Sequence, residues 1–173
     1  LEELSIIGQK IWGNIPDFTN LPLLKKLRLG GSGDYVSPKY SKITGAILDF
    51  NHLPLLESLE LSYSFLEGEI PDFTNLPLLK SLILTYNSLK GEIPDFSSIP
   101  LLRGLRLDNN FLTVLPDFNN LKNIFNIQVY TNELSDTIPS FANCPDLKLI
   151  NLSLNNFSAF DSDFTLRRFS TAN

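Results

Sequence analysis

The sequence predicts an α/β solenoid of about seven stacked units of 23 residues. Three observations predict it. First, the stretch from Ile70 to Leu84 returns as the stretch from Ile93 to Leu107, residue for residue in pattern. A fixed period of this size marks units that bury their apolar faces only against their neighbours. Second, the leading apolar residue of each unit falls at Leu1, Leu24, Leu56, Leu79, Leu102, Ile124 and Leu147, with all but one step of 22 or 23 residues. Third, each leading residue is followed three and five positions later by further apolar residues, as in Leu79, Leu82 and Leu84. The final alternation has the period of a short strand with one face buried.

The elements of one unit follow in order. After the strand comes a polar column: Gln9, Ser32, Ser64, Asn87, Asn110, Asn132 and Asn155. An amide there is expected to bond the backbone of the adjoining coil where the chain turns inward. Next comes a segment of the form Leu89-Lys90-Gly91-Glu92-Ile93-Pro94. A phenylalanine column closes it: Phe18, Phe50, Phe73, Phe96, Phe118, Phe141 and Phe164, expected to stack as a buried spine. The Asp before most of these rings is a good cap for a short helical turn, so the outer side is expected to hold turns or helical segments. Pro22, Pro54, Pro77 and Pro100 then stop each turn before the next strand.

The pattern L-x-x-L-x-L-x-x-N-x-L resembles the leucine-rich-repeat family, and the L-x-G-x-I-P continuation resembles its plant-type subclass. The resemblance covers residues 1–164, leaving 165–173 as a tail or partial cap. It implies a right-handed superhelix with a parallel β-sheet on the concave side, and a recognition role for that face.

Composition excludes several functions. The chain has 173 residues, a formal net charge of −5 and a pI near 4.8. Nothing basic suggests nucleic-acid binding, and no apolar run approaches the ~20 residues of a membrane span. His52 is the only histidine and Cys144 the only cysteine. His52 is read as a surface residue and Cys144 as a small core hydrophobe, so no catalytic, metal or cofactor site is expected and no internal disulfide is possible. The Asp column is structural. The absence of a starting Met or leader suggests a mature product or fragment.

One step is 32 residues, 9 more than the repeat, and places an insertion at about residues 30–42. Its glycines and Pro38 mark a loop, and Tyr35 and Tyr40 give it contact chemistry. It is either a tolerated loop or a binding element. Candidate ligand contacts on the strand face and loop are Arg28, Tyr35, Tyr40, Glu60, Tyr63, Tyr86, Arg106, Asp108 and Tyr130, because Tyr and Arg dominate binding hot spots. A soluble face with scattered aromatics is the plainer reading. Asn151 and Asn156 each open an Asn-x-Ser sequon and are candidate sites for N-linked glycans. Both are expected on exposed positions.

The leading functional expectation is a non-catalytic extracellular or cell-surface module that binds a protein, peptide or glycan. The alternative is a structural subunit that stacks end to end into a filament or coat. Leu1, Leu4, Ile6, Trp12, Phe164 and Phe169 are the candidate assembly residues, since a solenoid end without a polar cap exposes its core.

Overall fold

The computed structural model describes residues 1–32, 40–162 and 164. It shows a right-handed β-solenoid of about seven repeats. Seven parallel strands form one continuous sheet in chain order: β1 (Glu3–Ile7), β3 (Lys26–Gly30), β5 (Ser58–Ser62), β7 (Ser81–Ile83), β9 (Gly104–Arg106), β11 (Asn126–Gln128) and β13 (Leu149–Asn151). Pairing is in repeat register. Leu27 lies opposite Leu4 and Leu59, Leu82 opposite Leu59 and Leu105, and Ile127 opposite Leu105 and Ile150. The inward leucines form one apolar column, and Leu27, Leu59, Leu82, Leu105 and Ile127 are fully buried.

A second parallel sheet follows the polar column. It comprises β2 (Trp12–Asn14), β4 (Lys42–Gly45), β6 (Phe65–Gly68), β8 (Ser88–Glu92) and β10 (Phe111–Val114). A separate pair, β12 (Thr137–Ile138) and β14 (Ala159–Phe160), continues it. Gly45, Gly68 and Gly91 leave this sheet with φ of 84°, 86° and 83°, a conformation that favours glycine. In the next unit the position is Val114, which does not adopt it, and the β8–β10 register shifts between Leu112 and Val114. The five-stranded sheet ends at that strand, consistent with a β-branched residue that cannot repeat the glycine bend.

The outer side takes the first of its two expected forms, turns rather than helical segments. Among the described residues there is no helix; each unit makes two successive turns instead. The Leu76 N–H donates to Phe73 O (2.9 Å) and the Leu79 N–H to Leu76 O (3.0 Å), and the neighbouring units repeat this. The Asp column therefore does not cap helices. Asp17, Asp95 and Asp117 accept from the N–H two residues on, at 3.2, 2.9 and 3.0 Å. That bond spans the Phe between them and helps hold it in a left-handed conformation, with φ of 56°, 53° and 50° for Phe18, Phe96 and Phe118. Such a backbone costs about 1–3 kcal/mol per bulky residue. Burial of the ring offsets it: Phe73, Phe96 and Phe118 are fully buried, and Phe96–Phe118 and Phe118–Phe141 stack at 6.4 and 6.5 Å between centroids.

The asparagine column bridges successive coils with the same bonds each time. Asn110 Nδ2 donates to Leu84 O of the preceding coil and Leu107 O of its own, both at 3.0 Å, while its Oδ1 accepts from the Leu89 N–H (3.1 Å). Asn87, Asn132 and Asn155 repeat this pattern. At the N-terminal end the ladder differs from expectation. Ser41, not Ser32, is the residue in register: its N–H donates to Tyr63 O (2.8 Å) as that of Ser64 does to Tyr86 O (3.1 Å). Ser41 Oγ and Ser64 Oγ are 2.7 Å apart, and both residues are buried. The insertion thus lies before the polar column, and the column resumes after it.

Asn110→Ala strands two carbonyls and one N–H in the core and should cost about 3 kcal/mol. Phe96→Ala should cost about 4 kcal/mol through the cavity it opens. Urea unfolding midpoints check both; a loss under about 1 kcal/mol for Asn110→Ala would contradict the bridging role.

Candidate recognition face

The outward side chains of the seven-stranded sheet form parallel columns, because alternate residues of each strand point away from the core. The central column reads Ser5, Arg28, Glu60, Ile83, Arg106, Gln128 and Asn151. Arg28 Nε donates to Glu60 Oε2 at 2.7 Å, so these two candidates hold one another, and the bond raises the Arg28 pKa above its ordinary value. Both remain partly open to solvent.

The next column, at the strand exits, reads Ser62, Thr85, Asp108, Tyr130 and Ser153. It becomes buried in the middle of the face: Ser62 and Thr85 are 2% and 3% exposed, and Asp108 is 0% exposed. Asp108 was expected as an exposed contact and is instead enclosed. Thr85 Oγ1 donates to Ser62 Oγ at 3.2 Å. In the following coil the carboxylate stands where these hydroxyls stand. Asn109 Nδ2 donates to Asp108 Oδ2 (3.1 Å), while the buried Oδ1 accepts no hydrogen bond. The nearest cation is Arg106, whose Nε lies 3.8 Å from Oδ1 and whose side chain is 47% exposed. Burial raises the Asp108 pKa; a hydrogen bond from Tyr130 and the Arg106 charge oppose the rise without cancelling it.

The third column holds the tyrosines. Tyr63 and Tyr86 have left-handed backbones, φ 51° and 56°, and their rings stack at 4.4 Å with 10° between planes. Tyr40 falls in the same column, one repeat before Tyr63, and meets it edge-on at 6.0 Å. Phe65, at the start of β6, stacks on Tyr40 at 5.5 Å. Tyr40 and Phe65 are 42% and 49% exposed. The sequence reading named the three tyrosines but not Phe65; counting one repeat back from Tyr63 to Tyr40 would have shown that the insertion returns the chain beside it. Tyr63 and Tyr86 therefore lie one column out from Asp108 and Tyr130, joined to them by the Tyr86 N–H, which donates to Asp108 O (3.1 Å).

Trp12 is 81% exposed and Leu1 is exposed, whereas Leu4 and Ile6 are half-buried against the first coil. Phe164 packs on Phe160 at 4.6 Å. Asn156 is exposed as expected, but Asn151 is half-buried, with its Oδ1 accepting from the Ser153 N–H (3.1 Å). Tyr35, Phe169 and the tail at 165–173 lie outside the described residues. His52 is exposed, and Cys144 is buried with its thiol pKa raised by burial. On the opposite flank an open groove is lined by Glu69, Asp72, Glu92 and Asp95 with their Ile-Pro pairs. Among the described residues no group of three or more His, Cys, Asp or Glu could hold a metal ion, and no helix is long and apolar enough to cross a membrane.

The fold recurs in solved structures. The plant peptide hormone receptor RGFR1 in complex with RGF2 matches with a TM-score of 0.79 and 28% identity, over 90% of this chain and 25% of that one. Listeria monocytogenes InlP matches with a TM-score of 0.71 and 32% identity, over 90% and 42%. The leucine-rich-repeat ectodomain of the receptor kinase SOBIR1 from Arabidopsis thaliana matches with a TM-score of 0.62 and 28% identity, over 74% and 80%. The chain is a leucine-rich-repeat solenoid. Its matches are both plant and bacterial, so the family is shown at that level and not as the plant subclass. This leucine-rich-repeat chain spans about a quarter of the length of the first plant receptors it matches. No protein-family model and no curated protein matches the sequence.

Asp108 has a defined pH signature. Its folded pKa is raised, so its contribution to stability is full below the ordinary Asp value and is lost as pH rises through the folded value. Asp108→Thr, which continues the hydroxyls of Ser62 and Thr85, should therefore stabilise the protein at pH 7 by about 1 kcal/mol. The gain should shrink as pH falls toward the ordinary Asp range. Urea unfolding at pH 7 and pH 4 measures it; a gain that grows on acidification would contradict the assignment.

Proposed function

We propose that the chain is a non-catalytic recognition module of an extracellular or cell-surface protein, binding a peptide or protein ligand through the seven-stranded sheet face. One observation carries the reading. Tyr40, Tyr63 and Tyr86 form an aromatic rail along one edge of that face, with Phe65 against Tyr40, and Tyr40 and Phe65 stand open to solvent at one end of it. Aromatic side chains on a rigid backbone offer large contact area at little entropic cost, which is the character of binding hot spots. Two columns away on the same face stand the partly exposed Arg28, Glu60 and Arg106, which supply charged contacts in addition to the apolar ones. The plant receptors among the matched structures include a peptide hormone receptor solved with RGF2, which supports a peptide or protein ligand for this chain. The L-x-G-x-I-P segments support a plant-type assignment.

Selection of a displayed peptide library on the immobilised protein tests the reading. Ligands recovered from the parent should bind Tyr40→Ser/Phe65→Ser at least tenfold more weakly, while Trp12→Ser, away from the face, should bind normally. No enrichment on the parent, or equal binding to the rail variant, would overturn it. Sedimentation that rises steeply with concentration and falls on Trp12→Ser would instead favour the end-to-end structural reading.

A further inference from the structure

The recognition face contains one group that its own fold leaves incompletely paired. Among the described residues, Asp108 is the only Asp, Glu, Lys, Arg or His that is buried. It lies in the outward column of the sheet, between the hydroxyl of Thr85 and the ring of Tyr130 in adjoining coils. A buried carboxylate is costly unless its lone pairs are met. Asn109 donates to Oδ2 and Tyr130 also hydrogen-bonds the carboxylate, but Oδ1 takes no hydrogen bond. The one nearby cation, Arg106, stands 3.8 Å away, beyond hydrogen-bond range, and is almost half exposed. Its planar guanidinium is thus a counter-charge that makes no hydrogen bond to Oδ1. The core does not require an acid at this position, since Ser62 and Thr85 fill it in the two preceding coils with a mutual hydrogen bond.

We infer that Asp108 is a subsite for a primary ammonium group of the ligand, which displaces Arg106 and bonds Oδ1. A compact ammonium with three rotatable donors fits an enclosed single acceptor better than a planar fork does. The displaced guanidinium is already partly solvated, so its departure costs little, whereas the new bond joins two charges in a partly dry site and is charge-assisted. The subsite deepens the recognition reading by naming one chemical group that the face selects. A lysine side chain and a free N-terminus both carry it.

Proton–nitrogen and carboxyl-carbon NMR of the intact protein tests this with small probes. Nα-acetyl-lysine amide carries only the side-chain ammonium, glycyl-alanine amide only the α-ammonium, and Nα-acetyl-norleucine amide neither. The first or the second should shift the Asp108 carboxyl resonance and the amides of Tyr86 and Tyr130, and whichever does so identifies the source. Asp108→Asn should weaken that response about tenfold or more, and Asp108→Thr should do the same with a well-dispersed spectrum that reports an intact fold. Silence from both amines overturns the subsite, as does an equal response to the norleucine probe or an undiminished one in both variants. These outcomes do not depend on the peptide selection, so the subsite can fail while the recognition face stands.

Discussion

The structure depends on one repeated bond pattern: an asparagine amide that reaches into the coil before it. A solenoid must turn its backbone through the interior twice per unit, and each turn points N–H and C=O groups inward where water cannot meet them. Asn87, Asn110, Asn132 and Asn155 meet them with a single side chain each, bonding carbonyls of two coils and an N–H of one. Because each amide spans two coils, the strands on either side cannot slide out of register. The leucine columns then align, and the phenylalanine spine follows on the far side of the core. The outward columns inherit the same spacing, which is what turns scattered polar residues into a face.

That rigidity lets the face carry unfavourable features. The left-handed backbones of Tyr63 and Tyr86 and the enclosed Asp108 carboxylate all cost free energy. They cluster at the exits of the central strands, beside the stacked rings, and the flanking coils hold them in place. Elsewhere the fold repeats its cheapest solution, as the hydroxyls of Ser62 and Thr85 show two coils and one coil before Asp108. A departure from a repeat, in an outward column and at a cost, is where a repeat protein differs from its own scaffold.

Much of the fold was legible because a repeat states its rule several times. Seven units set the strand, polar and ring columns, and the leucines, the four asparagines and the rings from Phe18 to Phe141 stand where the period put them. The insertion was legible in length but not in placement. Counting forward from Leu24 put Ser32 in the ladder, whereas the backbone resumes register at Ser41, because the pairing of the next coil, not the count from the last, decides which serine is enclosed. The Asp column was expected to cap a short helical turn, and it braces a turn with no helical segment after it. An Asp before a turn bonds a nearby N–H in either case, and whether a helix follows depends on how far the outer arc must reach between two strands.

By itself the sequence determined the period and the buried columns, since these rest on residue type at fixed spacing. Tertiary structure decided what each outward residue became. Tyr40 joined Tyr63 and Tyr86, Phe65 completed the rail, Arg28 paired with Glu60, and Asp108 passed from an expected surface contact to an enclosed acid. The physical reason is that burial on a solenoid face is set by the side chains one coil above and one coil below, and those neighbours lie about 23 residues away in the chain.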